Sequence, residues 1–67
     1  MRLVVNGDEL EALAERATVL DLLEHLELGP NWVIVERNGE PVPRRDVATT
    51  TLADGDRIEL VRAVAGG

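Results

Sequence analysis

Few residues of this chain have side chains suited to chemistry. The only histidine, His25, falls close to Asp21, Glu24 and Glu27. Together they make a minimal set for general acid–base work. Asp54-Gly55-Asp56 sets two carboxylates around a glycine, a fragment of a cation loop. Calcium takes about six to eight oxygens, however, and a turn accounts for these three residues without a ligand. The chain has no cysteine, which excludes a thiolate nucleophile, a disulfide and a thiolate-held cluster. One histidine does not support a dedicated zinc site. No glycine-rich phosphate loop is present. The expectation is therefore no catalytic side chain, no metal and no bound cofactor. What remains is chemically plain: Ala63-Val64-Ala65-Gly66-Gly67.

Glycine packs nothing, but a backbone without Cβ atoms threads a narrow channel and adopts φ/ψ values closed to other residues. A tail of this kind carries a carboxylate deep into another protein's active site. The carboxylate is a poor electrophile until it is activated, most simply as an acyl-adenylate. In this reading Gly67 is the reacting residue, Gly66 gives access, and the globular part is the grip.

That grip must be built from 67 residues, enough for one domain with a thin core. Thirteen acids against seven basic residues give a formal net charge of −6. All the basic residues are arginine. Such a balance makes nucleic acid a poor partner and favours a basic protein surface. The opening Met1-Arg2-Leu3-Val4-Val5 is too short for a signal-peptide core, and no apolar run approaches a membrane span. These features predict a cytoplasmic protein that does not engage membranes.

The elements follow from local pattern. Asn6-Gly7 between apolar runs predicts a type I′ hairpin pairing Val5 with Asp8, Val4 with Glu9, Leu3 with Leu10 and Arg2 with Glu11. That register puts Met1, Leu3, Leu10 and Ala12 on one face. Thr18, with Asp21 three residues on, is a capping box that opens a helix. Val19, Leu22, Leu23 and Leu26 form its buried stripe, Leu20 widens the stripe, and Gly29-Pro30 ends the helix. The acids then face solvent, and His25 complements the negative end of the helix dipole. Trp32-Val33-Ile34-Val35 starts a strand, Asn38-Gly39 turns it, and Pro41 and Pro43 confine the next strand to an edge. Val47 and Leu52 sit in a loop or short helical turn. Arg57 to about Val64 reads as a last strand, with Ile58 and Leu60 facing inward.

The order β-β-α-β-β-β predicts an α+β domain: a ubiquitin-like β-grasp, with a four- or five-stranded mixed sheet packed on one helix. The domain takes residues 1–63 and the diglycine tail takes 64–67. Alternation places Val33 and Val35 against the helix. It places Trp32, Ile34, Val61 and Ala63 on the outer face, with Val4 nearby, as an apolar partner-binding surface.

Over its whole length the chain resembles the ubiquitin-like sulfur carriers of bacteria, most closely the thiamine-biosynthesis (ThiS) family. The resemblance rests on Val5-Asn6-Gly7, on NGEPVPR at 38–44, on LADGDRIEL at 52–60 and on AVAGG at 63–67. It implies a carrier that is a protein co-substrate with no catalytic side chain of its own. A ubiquitin-activating-type adenylyltransferase would use MgATP to adenylate the carboxylate of Gly67. A cysteine desulfurase or related donor would supply sulfur to make a thiocarboxylate, and thiazole synthase would consume it. The molybdopterin synthase small subunit and tRNA-thiolation carriers share the diglycine end, as do ubiquitin-like protein modifiers. Short length and Arg62-Ala63-Val64-Ala65 before the glycines favour the thiamine branch.

Overall fold

The computed structural model describes residues 1–62; the placement of Ala63–Gly67 lies outside the described residues. Strand β1 (Leu3–Val5) turns at Asn6 and Gly7, both at positive φ (49° and 88°), into β2 (Asp8–Leu10). The predicted register holds: Leu3 faces Leu10, Val4 faces Glu9 and Val5 faces Asp8. It does not extend further, because β2 ends at Leu10. Arg2 therefore meets Glu9 (2.7 Å), its diagonal neighbour, and not Glu11. Ala12, expected beside Leu3, is exposed for the same reason. Both members of the Arg2–Glu9 pair are more than half exposed, so it adds little stability.

Helix α1 (Val19–His25) begins as its sequence demands. The Thr18 hydroxyl accepts from the Asp21 amide (3.1 Å), and the Asp21 carboxylate accepts from the Thr18 amide (2.8 Å). The two preceding helical amides, on Val19 and Leu20, donate to the carbonyls of Thr50 and Val47. Every early donor of the helix thus has a partner, and the 47–52 loop is pinned across its start.

The other end of α1 departs from expectation. Gly29-Pro30 does not stop it. The helix closes at Leu26, and Glu27 adopts the left-handed conformation (φ 58°) usually left to glycine. The Leu28 amide donates to the Leu23 carbonyl (2.8 Å) and the Glu27 amide to that of Glu24 (3.0 Å), which is a Schellman closure. Leu28 packs against the core and holds the turn in place. A side chain at this φ is strained, so Glu27→Gly is expected to stabilise the fold by about 1 kcal/mol. Thermal unfolding should show a midpoint raised by roughly 4–8 °C, the usual response of a domain this small.

Trp32, expected to start a strand, belongs instead to a 3₁₀ turn over Pro30–Trp32. Strand β3 (Val33–Arg37) follows, then the Asn38-Gly39 turn and β4 (Glu40–Val42). A second 3₁₀ turn covers Arg44–Asp46, and β5 spans Arg57–Arg62. All five strands join one sheet in the order β2-β1-β5-β3-β4, so β4, with Pro41, lies at an edge as predicted. β1 and β5 run parallel at the centre, while β3 is antiparallel to both β5 and β4.

One face of this sheet meets α1. Leu3, Val33, Val35 and Ile58 project toward Val19, Leu22 and Leu23, and Val47 and Leu52 close the side of the core. Leu20 and Leu26 pack at its margin, only partly buried.

Candidate functional site

Alternation along β3 and β5 decides what the outer face of the sheet displays. Val33 and Val35 are buried, so Ile34 and Glu36 point outward; Ile58 is buried, so Glu59 and Val61 do too. The antiparallel register sets Ile34 directly opposite Val61 and Glu36 directly opposite Glu59. Ile34 and Val61 are 56% and 58% exposed, and Trp32 58%. No other large apolar side chain among the described residues is comparably open to solvent. Ile34 and Val61 thus form an exposed apolar pair on the outer face, whereas Trp32 is exposed from the 3₁₀ turn before β3 and not by the strand alternation expected to place it beside them.

The expected position of Val4 needs correcting. It lies on the outer face, but the parallel register pairs it with Arg57, four residues before Val61 on β5. It therefore stands at the opposite end of that strand from the Ile34–Val61 pair. Ala63, the other expected member of the patch, lies outside the described residues, as do Gly66 and Gly67.

Trp32 is placed by its own turn. Its amide donates to the Gly29 carbonyl (3.0 Å), and Arg44 Nη2 holds the Asn31 carbonyl (3.3 Å). A Cβ added to Gly29 would stand 3.1 Å from Trp32 Cδ1, so glycine lets the indole lie against this turn. A shallow hollow between Leu28, Gly29, Trp32 and Val33 opens beside Arg62. A second, lined by Val5, Leu26, Leu28, Val33 and Leu60, also reaches Arg62. The last described residue thus emerges among apolar side chains of the strands and of the segment that follows α1.

Below the apolar pair, Glu36 and Glu59 put like charges opposite one another, both exposed. Such a pair opposes sheet stability by a few tenths of a kcal/mol. Their outward positions follow from the strand pattern; their pairing needs the β3–β5 register.

The residues first considered for catalysis have other roles or stand in solvent. Asp21 caps α1, and Glu24, His25 and Glu27 are exposed. Asp54 Oδ1 accepts from the Arg2 amide (2.7 Å). Asp56 is 6% exposed and forms a hub that no sequence pattern announced. Its carboxylate accepts from Arg37 Nε (2.8 Å), from the Ala53 amide (2.8 Å) and from Asn38 Nδ2 (2.9 Å). Burial pushes this carboxyl up, but the bond from Ala53, those from Asn38 and Arg37, and the Arg37 charge together hold it below its ordinary 3.8. Asp54-Gly55-Asp56 is thus a structural turn. Among the described residues no three His, Asp or Glu side chains converge as metal ligands, and no helix is long and apolar enough to cross a membrane.

A central parallel pair of strands, flanked by β2 on one side and the β3–β4 hairpin on the other, with one helix packed on the sheet, defines the ubiquitin-like β-grasp class. Within it, the pattern of the ThiS family matches residues 1–67, and the chain belongs to that family. The sulfur carrier protein ThiS of Bacillus subtilis (strain 168) is 37% identical over 65 residues, which cover 97% of this chain and 98% of that one. A thiazole synthase of Paramagnetospirillum magneticum (strain ATCC 700264 / AMB-1) is 42% identical over all of this chain, which spans only 20% of that relative's length. The crystal structure of the thiamine biosynthesis protein (ThiS) from Geobacter metallireducens superimposes with a TM-score of 0.83 at 38% identity, covering both chains fully. The solution structure of a thiamine biosynthesis protein from the same organism gives 0.81, covering 88% of that chain.

Proposed function

We propose that this protein is the sulfur carrier for thiazole formation in thiamine biosynthesis, with Gly67 as the reacting terminus. The carrying observation is that the family match runs through residues 1–67, so both glycines fall within it. In this reading the carrier is a protein co-substrate. An adenylyltransferase of the ubiquitin-activating type binds MgATP, and a carboxylate oxygen of Gly67 attacks the α-phosphorus as pyrophosphate leaves. Persulfide sulfur from a cysteine desulfurase or related donor then attacks the activated carbonyl carbon, AMP departs with the former carboxylate oxygen, and a thiol reductant cleaves the resulting acyl disulfide to leave the thiocarboxylate. Thiazole synthase receives the sulfur. That a thiazole synthase contains a segment 42% identical to this chain supports the pairing.

The domain contributes grip. Trp32, Ile34 and Val61 form the apolar part of the contact, and Ala63 continues it in sequence. Glu36 and Glu59 suit arginine or lysine on the partner, which relieves their mutual repulsion and speeds encounter. Replacing Ile34 and Val61 together by threonine keeps the β-branched shape and removes apolar contact. Affinity for the activating enzyme, measured by titration calorimetry, is expected to fall about tenfold or more. The thermal midpoint should barely move, since both sites are already more than half exposed.

The reading is tested by incubating the full chain with its activating enzyme, MgATP and a sulfur donor. Intact mass should rise by about 16 Da as sulfur displaces oxygen through the acyl-adenylate. No gain, or a gain that persists after Gly67 is removed, overturns it.

A further inference from the structure

β5 is six residues long, but β1 accompanies only its first part. The Val4 amide donates to the Asp56 carbonyl and the Asn6 amide to that of Ile58, both at 2.9 Å. At Asn6 the chain turns away into β2, and one step further along β5 the side chain of Asn6 takes over. Its Oδ1 accepts from the Leu60 amide (2.7 Å) and its Nδ2 donates to the Leu60 carbonyl (3.2 Å). The carboxamide presents to Leu60 the donor and acceptor of a peptide group, so it stands in for the strand that has left.

We infer that Asn6 is a positioning residue for the carrier reaction: its side chain clamps Leu60 and so fixes the direction in which β5 leads to Arg62 and the reacting terminus. Three demands meet at this residue. The turn needs positive φ, Leu60 N–H needs an acceptor and Leu60 C=O needs a donor. Glycine meets the first alone, and aspartate lacks the donor. Asparagine meets all three.

The fold also contains its own control. Asn38, the corresponding residue of the second Asn-Gly turn (φ 51°), uses its Oδ1 to hold the Arg57 amide at 2.9 Å. It clamps the other end of the same strand and also bonds Asp56. Asn38→Gly therefore removes at least as much hydrogen bonding as Asn6→Gly, about 17 Å from Arg62 by ordinary strand rise.

The inference rests on the carrier reading, so the test has two arms on the full chain. In the free protein, amide exchange at Leu60 should accelerate about tenfold in Asn6→Gly beyond any change in Asn38→Gly. With the activating enzyme, MgATP and a sulfur donor, Asn6→Gly should raise KM for the carrier about fivefold with kcat little changed, as a loss of preorganisation does. Asn38→Gly should stay near wild type in KM even where its thermal midpoint falls further. Equal rises in KM for the two variants, an unchanged KM in Asn6→Gly, or unaltered exchange at Leu60 each overturn the inference. A wild-type chain that gains no sulfur overturns the carrier reading instead, and exchange at Leu60 then decides whether Asn6 orders the strand end.

Discussion

Asp56→Ala is expected to destabilise the domain by about 3 kcal/mol at neutral pH, the largest loss from any single side-chain truncation in its polar framework. The carboxylate is nearly buried and takes three hydrogen bonds, and truncation leaves the Ala53 amide, Asn38 Nδ2 and Arg37 Nε without their acceptor. Arg37 keeps about a third of its side chain in water, which holds the cost below that of a fully buried ion pair. A chain of 67 residues has roughly 3–10 kcal/mol in total, so the variant should lie close to its unfolding transition at 37 °C. Urea unfolding followed through Trp32, the sole aromatic residue, measures the difference directly.

The same group gives the sign of an acid response. Its carboxyl titrates lower in the folded chain than its ordinary 3.8, so the folded state holds this proton less tightly than the unfolded chain does. Its stabilisation is complete above the ordinary value. It is lost as pH falls from there through the lower folded value. The gap in stability between wild type and Asp56→Ala should be constant near neutrality and narrow progressively below pH 3.8. A gap that widened on acidification would contradict the hub.

The contrast between what local pattern shows and what it hides is instructive in this chain. The first hairpin was legible because Asn6-Gly7 allows one tight turn and only one register places Leu3 opposite Leu10. The start of α1 was legible because Thr18 and Asp21 satisfy each other within three residues. The outward positions of Ile34 and Val61 followed from Val33, Val35 and Ile58 turning inward. Each of these depends on neighbours in sequence. The end of α1 does not. Packing Leu28 against the core closes the helix at Leu26 and forces Glu27 into a left-handed conformation against its own preference, ahead of a stronger stop signal at Gly29-Pro30.

Asp56 and Asn6 were hidden for a related reason. Arg37 and Asn38 stand 19 and 18 residues from Asp56, and Leu60 stands 54 from Asn6. These contacts exist only once β5 has inserted between β1 and β3. The central strand is thus fixed at three points: Asn38 at its first residue, Asp56 just before it, and Asn6 near its end. These side-chain anchors add to the pairing of β5 with β1 and β3. The turn chemistry that makes the hairpins cheap to form thus also anchors the last described strand.

Gly66→Val is expected to reduce kcat/KM for thiocarboxylate formation about a hundredfold, which corresponds to about 2.7 kcal/mol of lost transition-state stabilisation. Its thermal midpoint should match wild type. The substitution lies beyond β5 and the described core, and in the proposed reaction the chain supplies only a carboxylate, so the expected effect arises where the terminus is delivered. A β-branched side chain narrows the available φ/ψ values and adds width to a segment that, in the proposed reaction, enters an enclosed site. Displacing the reacting carbonyl by an ångström is enough for the stated loss. Gly66→Ala adds one methyl and should fall between the two. Graded loss in the order Ala then Val, at constant stability, separates a threaded substrate from a frayed end, for which both variants would react as wild type does. The same series distinguishes this effect from that of Ile34 and Val61, whose replacement by threonine weakens binding and leaves the chemical step of a saturated complex intact. Grip and delivery are then independent contributions to one reaction, one set by the outer face of the sheet and the other by the missing Cβ atoms of the last two residues.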